Sequence, residues 1–258
     1  MPSIIPTAEP FFFPGNRNRV GCLLVHGFTG TPKEMRGMGL WLNHRGHSCL
    51  GPRLPGHATA PQDMMRSRWR DWLLEIEDGH HLLKETCTGV CLVGLSMGGA
   101  LSLLAATQLQ VVAVAAISTP YAMPTRLPGW FLKVLSLVVQ QRRKSVEAPG
   151  ASWFDKQAFA DHISYPMNPV RSAAELEFLL DALRPALGRV RVPVLLIHSS
   201  DDTYVPARNM QLLYDRLTAA PSREQLLVSG SGHVIPRDAA REATFDAVER
   251  FLSRLEHS

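Results

Sequence analysis

Ser96 stands in Gly94-Leu95-Ser96-Met97-Gly98, a serine with glycine two places to either side. A serine hydroxyl is a weak nucleophile at neutral pH. It needs a base within hydrogen-bond reach, and the base needs an acidic partner to hold its tautomer and stabilise its cation. The chain supplies both further on. Asp201 and Asp202 follow the apolar run Val194-Leu195-Leu196-Ile197, and His233 closes Ser229-Gly230-Ser231-Gly232-His233 after a second run ending at Val228. Serine, acid and base each lie just past an apolar run, so they can meet at one edge of a sheet. That set suits nucleophilic attack on a carbonyl carbon. His233 is preferred among ten histidines because a strand and a glycine precede it. His26 and His57 read as loop-shaping, and His80, His81 and His257 as solvated.

The elements that must position Ser96 are legible around it. Val90 to Val93 is a buried strand, and Gly99 to Gln110, rich in alanine and leucine, is a helix. The serine therefore sits at a sharp strand-to-helix turn, where side chains at 94, 98 or 99 would obstruct the close backbones. The helix N-terminus beneath it carries free N–H groups that favour a developing oxyanion. One such donor is the N–H of Met97, the residue after the nucleophile. The other is expected from the loop after the first strong strand, Val20 to Val25, where His26-Gly27-Phe28 places the Phe28 N–H at the turn. The Phe28 and Met97 side chains would line an acyl pocket.

Strands and helices alternate along most of the chain. Phe11 to Phe13 reads as an edge strand. Thr31 reads as a helix cap with Pro32 at the first position and Glu34 as its capping-box partner, in a helix running to His44. A strand through Ser48 to Leu50, a loop over 52–66, a helix from Arg68 to Glu85 and a strand from Val111 to Ile117 follow. The alternation stops between Ser118 and Arg191. That stretch contains Leu127 to Val139, with Trp130 and Phe131, then the basic cluster Arg142-Arg143-Lys144, a stretch with proline and glycine, and a helix over Ala173 to Leu187. It reads as a cap over the carboxyl edge of the sheet. Its apolar run reads as a helix packed on the body, as the lining of an apolar pocket by Trp130 and Phe131, or as a surface for transient contact with lipid interfaces. Alternation resumes with a helix over Pro206 to Leu217 and a last helix from Ala239 to Leu255. The expected architecture is one α/β domain over 1–258, a mostly parallel sheet with helices on both faces and a cap at about 120–190, inserted after the sixth strand.

Composition narrows the function classes. The chain has 258 residues, 45% hydrophobic, and a net charge of +4 with histidine neutral. No basic stripe is interleaved with aromatics, so no nucleic-acid partner is expected. The four cysteines lack zinc-site spacing, and no metal is expected. No basic segment with a long apolar core opens the chain and no apolar run approaches a bilayer span, so the expected location is cytoplasmic.

At Leu24-Val25-His26-Gly27-Phe28-Thr29-Gly30-Thr31-Pro32, Pro52-Arg53-Leu54-Pro55-Gly56-His57, Gly94 to Gly99, Ser200 to Pro206 and Gly232-His233, the sequence resembles the α/β-hydrolases. Within them it is similar to bacterial monoacylglycerol lipases and related small carboxylesterases. The resemblance covers nearly the whole chain and is weakest from 120 to 190. It implies a lipid or ester substrate, no metal or organic cofactor, and Asp202 as the acid, since that aspartate precedes two variable residues and Val205-Pro206. A dehalogenase is disfavoured because its elbow nucleophile would be aspartate. The resemblance implies a monoacylglycerol lipase, with a general carboxylesterase on short to medium esters as the alternative. One departure stands out. An acidic cap residue that reads glycerol in some of these lipases falls at Pro166, after Tyr165, with Asn168 and Glu175 as candidates to replace it.

Overall fold

The computed structural model describes residues 3–16, 19–123, 127–144 and 152–256. In chain order the elements begin with β1 (Phe11–Phe13), β2 (Gly21–Val25), α1 (Lys33–Asn43), β3 (Cys49–Gly51), α2 (Pro61–Arg66), α3 (Trp69–Lys84), β4 (Val90–Leu95), α4 (Met97–Ala105) and β5 (Ala113–Ile117). The inserted stretch adds α5 (Gly129–Leu135), β6 (Gln141–Arg143), α6 (Lys156–Ala160), β7 (Met167–Pro169) and α7 (Val170–Ala186). The chain then returns through β8 (Val194–Ser199), α8 (Arg208–Arg216), β9 (Arg223–Val228) and α9 (Arg241–Glu256).

Seven strands form one sheet in the order β1-β3-β2-β4-β5-β8-β9. All neighbours are parallel except β1, which runs antiparallel to β3 at the edge. The central strands are buried on both faces, which is why they read as unbroken apolar runs. Their side chains alternate between two cores. Leu23, Val25, Val90 and Leu92 join the helices α3, α4, α7 and α8 on one face. Cys22, Leu24, Cys91 and Val93 join α1 and α9 on the other. All four cysteines are free thiols.

From β2 the chain steps to β3 on one side and then to β4 on the other. That reversal opens a crevice at the carboxyl ends of β2 and β4, the place where open α/β sheets bind ligands. Phe28 follows β2 there, and Ser96 follows β4.

Several expectations change. The insertion leaves after β5, the fifth strand along the chain and not the sixth. The loop over 52–66 contains the short helix α2, started by Pro61 at its first position. Neither Thr31 nor Glu34 caps α1: its N-terminal residue is Pro32, with no side-chain cap, because Glu34 turns inward instead. His80 is buried, with Nε2 against the Gln110 carbonyl at 3.0 Å, so it is not a solvated position. The proline- and glycine-containing stretch falls mostly at 145–151, which, with His257, lies outside the described residues. The apolar run forms only a two-turn helix, α5. The basic cluster becomes β6, paired antiparallel with β7.

Candidate active site

Ser96 occupies the turn between β4 and α4 in a backbone conformation with φ 56° and ψ −116°. A non-glycine residue at positive φ is strained and persists only where its surroundings hold it. Here the Ser96 N–H donates to the Ile117 carbonyl on β5 at 2.7 Å, while the Ser96 carbonyl accepts from Gly99 and Ala100 as α4 begins. A Cβ at Gly98 would collide with the Val25 and His26 carbonyls. The glycine is thus what lets the turn lie against the end of β2.

The Ser96 hydroxyl donates to His233 Nε2 at 2.9 Å. His233 Nδ1–H donates to Asp202 Oδ2 at 2.7 Å. The carboxylate only accepts, so it fixes the imidazole tautomer that leaves Nε2 free to receive the serine proton. The other oxygen, Asp202 Oδ1, accepts the N–H groups of Tyr204 and Val205 at 2.9 and 2.8 Å. Burial works to raise the Asp202 pKa. The His233 charge and hydrogen bond, with the Val205 N–H, outweigh it and hold the carboxyl below its ordinary range. Burial likewise works to lower the His233 pKa, but Asp202 overcomes it and the imidazole titrates above its ordinary value. Asp201, the other aspartate of the pair, is exposed and accepts from Gly230 N–H at 2.8 Å, tying the two loops together.

Met97 follows Ser96 and begins α4, and Gly27, next to Phe28, lies against the Ser96 Cβ. Among the described residues no backbone carbonyl accepts from the Phe28 or the Met97 N–H. The Met97 side chain is fully buried, and the Phe28 ring packs edge-on toward Trp72 with centroids 6.3 Å apart. Two histidines shape this wall. His26 Nδ1–H donates to the Gly27 carbonyl at 3.0 Å and its Nε2 accepts the Leu54 N–H at 3.2 Å. Burial pushes its pKa down to about 4, so it is neutral at pH 7. His57 packs against both His26 and Trp72.

Trp130 and Phe131 are not where a pocket lining would put them. They are 64% and 41% exposed, and the one ring contact of either among the described residues is with the other. Only Gly129 and Leu132 of α5 are buried, because seven residues present just one inward stripe. Pro166 is exposed. Glu175 is engaged elsewhere, 3.6 and 3.5 Å from Arg68 and Arg171. Asn168, on β7, keeps a buried side-chain carbonyl without a hydrogen-bond partner among the described residues, and its amide faces Tyr204. The Tyr204 ring lies 5.1 Å from the His233 ring.

Two carboxylates that sequence reasoning passed over hold this centre to its surroundings. Asp238 is fully buried and accepts the N–H groups of Gly232, Phe154 and Asp155, so it joins the His233 loop to the inserted stretch. Its signal was weak, an aspartate in an unremarkable Pro236-Arg237-Asp238. Glu34 is also buried and accepts the Gly27 N–H at 2.9 Å. Its position three residues after Thr31 imitates a helix cap.

Among the described residues no cluster of side chains has the makeup of a metal site, and no helix is long and apolar enough to cross a membrane. The arrangement is suited to acyl transfer: a serine nucleophile, a base with its acid, and backbone donors beside them.

Known proteins resemble this chain over nearly its whole length. The model of the alpha/beta hydrolase family matches residues 22–247. A thermostable monoacylglycerol lipase from Bacillus sp. (strain H-257) is 29% identical over 236 residues, 91% of this chain and 90% of that one. A carboxylesterase from Bacillus subtilis (strain 168) is 24% identical over 253 residues, 98% of this chain and 99% of that one. A solved structure from a study of LipS and LipT, two metagenome-derived lipolytic enzymes, superposes with a TM-score of 0.87 at 28% identity, covering 98% of this chain and 100% of that one.

Proposed function

We propose that this chain, which belongs to the alpha/beta hydrolase family, cleaves monoacylglycerols of medium to long acyl chain into fatty acid and glycerol. The broader statement, a carboxylic ester hydrolase, follows from the family and from relatives named as lipases and esterases. The observation that carries the mechanism is the unbroken relay from Ser96 through His233 to Asp202, at 2.9 and 2.7 Å.

Ser96 Oγ attacks the ester carbonyl as His233 Nε2 takes its proton. The carbonyl oxygen, now negative, is received by the N–H groups of Phe28 and Met97. His233 returns the proton to the leaving alcohol, leaving an acyl group on Ser96. It then takes a proton from water, whose oxygen attacks the acyl carbon and releases the fatty acid. Asp202 orients His233 and stabilises its cation throughout. One domain carries these steps, with the inserted stretch as a cap. The exposed apolar residues of that cap suit transient contact with a lipid interface, where such substrates gather.

Asn168 is the candidate reader of glycerol hydroxyls, since Pro166 supplies no carboxylate and Glu175 is held by arginines. Its unpartnered side-chain carbonyl can accept a hydroxyl proton. The absence of an acid at 166 favours a second reading, a carboxylesterase without glycerol selectivity. Hydrolysis of 1-lauroylglycerol, methyl laurate and p-nitrophenyl butyrate, with Ser96→Ala beside the parent, separates the two. Preference for the glyceride over methyl laurate, lost in Ser96→Ala, supports the lipase. Equal rates on the two laurates support the esterase, and turnover undiminished in Ser96→Ala overturns the mechanism.

A further inference from the structure

Glu34 is a buried charged group that the relay does not use. A carboxylate is costly to bury unless hydrogen bonds and opposite charges surround it. Its oxygen Oε2 accepts the Gly27 N–H at 2.9 Å, one residue before Phe28. The same carboxyl fills the space beneath Gly30, where any Cβ would collide with it. It therefore lies under the turn 27–30 as a filler that bonds to the backbone. Its oxygen Oε1 is 3.7 Å from His162 Nε2, a residue of the inserted stretch. Lys144, also of that stretch, donates to Ser164 at 3.0 Å and is one of the cations acting on Glu34. The remaining charged groups facing it are His233 and Arg237. Tyr165 N–H donates to the Thr29 carbonyl at 3.0 Å, so the inserted stretch grips this turn from above while Glu34 holds it from below.

We propose that Glu34 is a positioning residue of the catalytic centre: it fixes the turn that carries the Phe28 N–H and sets a second negative charge, across Gly27 from Ser96, that His233 feels. The proposal rests on the roles given above to Phe28 and His233. Two effects follow from one side chain. The hydrogen bond to Gly27 aims a donor, and the charge makes His233 a better proton acceptor. Burial raises the Glu34 pKa to about 7, and Asp202 raises that of His233 above its ordinary value. As pH falls, each proton taken up by one group discourages uptake by the other. Their protonation is then spread over a wider pH range than a single group would give. Lys144 acts in both directions: it lowers the His233 pKa directly, yet it favours ionised Glu34 and so preserves the charge that raises it.

The test is an NMR titration of the His233 imidazole in the parent and in Glu34→Gln, with its signals assigned by their loss in His233→Asn. Glutamine keeps an acceptor for the Gly27 N–H and removes the charge. The expected result is a broadened titration in the parent and a one-proton curve in Glu34→Gln, with its midpoint lower by about half a unit or more. The acid limb of kcat/KM moves down with it. Glu34→Ala, which also removes the acceptor, lowers kcat by about tenfold or more at nearly unchanged KM. Identical His233 titrations in parent and Glu34→Gln overturn the proposal. Because that readout needs no turnover, it is separate from the failure of the hydrolase mechanism, which Ser96→Ala reports.

Discussion

Two helices of this molecule are both mostly apolar and have opposite fates. Every residue of α4, which begins at Met97, is buried. In α5 and the turn after it, Trp130, Phe131, Val134, Leu137, Val138 and Val139 are exposed, with Leu137 at 83% and Val138 at 86%. The first helix is sandwiched between the sheet and α7, and its N-terminus begins directly after Ser96. The second packs along one stripe against α7, itself part of the inserted stretch. Apolar composition alone therefore does not say which side of the protein surface a residue lies on. In the body it builds a scaffold stiff enough to hold Ser96 at positive φ. In the inserted stretch it leaves an apolar patch facing outward, which soluble proteins rarely carry without a use.

The two regions should respond differently to substitution, and the largest effects belong to the body. Ser96→Ala is expected to lower kcat by about 10⁴-fold or more on every ester, water-soluble or dispersed. Asp202→Asn should cost roughly 10⁴-fold by stabilising the wrong His233 tautomer, with the fold retained in circular dichroism. A loss confined to dispersed lipids in either variant would erase the contrast between the regions. The combined Trp130→Ser, Leu137→Ser, Val138→Ser variant should instead keep kcat/KM on p-nitrophenyl butyrate within about twofold. Its activity on 1-lauroylglycerol dispersed with phospholipid vesicles should fall about tenfold, as apolar area for the interface is lost. Equal losses on both substrates would mean that these side chains serve the active site itself.

A smaller effect sharpens the picture of what is buried beside the relay. The pKa of His26 is lowered to about 4 and that of His162 to about 3, in both cases mainly by burial. The unfolded chain takes up those protons near pH 6.5 and the folded chain does not, so stability falls as pH drops from 6.5 toward 4, by about 1.4 kcal/mol per pH unit for each such group. Glu34 runs the other way. Its folded pKa of about 7 lies above its unfolded one, so the folded chain binds more protons between the two and its share of stability declines as pH rises. Glu177, raised to about 7 by burial, acts with it, but His57, held well below its ordinary value by burial, joins His26 and His162, and the three histidines outnumber the pair. Thermal melts should therefore show Tm falling from pH 6.5 to 4.5, more steeply in Glu34→Gln. A Tm that rises on acidification would contradict the burial of neutral histidines.

The body was legible in the sequence because its physics is local. Strands buried on both faces show as apolar runs, and Ser96 and Asp202 each follow such a run, while His233 follows the edge strand β9, which ends in Leu226-Leu227-Val228. Ser96, Asp202 and His233 could thus be picked out, and they converge within hydrogen-bond distance. The rest depended on partners far along the chain. Glu34 looked like the second half of a helix cap, because a three-residue spacing from threonine is all that a capping box requires. Only the approach of Gly27, Gly30 and His162 makes its inward turn favourable. His80 lies on a helix flank that Gln110, thirty residues on, happens to cover. Trp130 and Phe131 read as pocket lining because apolar residues usually find cover. Their exposure follows from α5 having α7 as its one main neighbour, which covers a single stripe, and no spacing encodes that.

The most direct test of the central claim is the mass of the intact protein after reaction with a fluorophosphonate, followed by peptide mapping. The account predicts one phosphonyl group per chain, carried on Ser96, with labelling strongly slowed in His233→Ala. An unlabelled parent, or label on another residue, would contradict the assignment of Ser96 as the nucleophile.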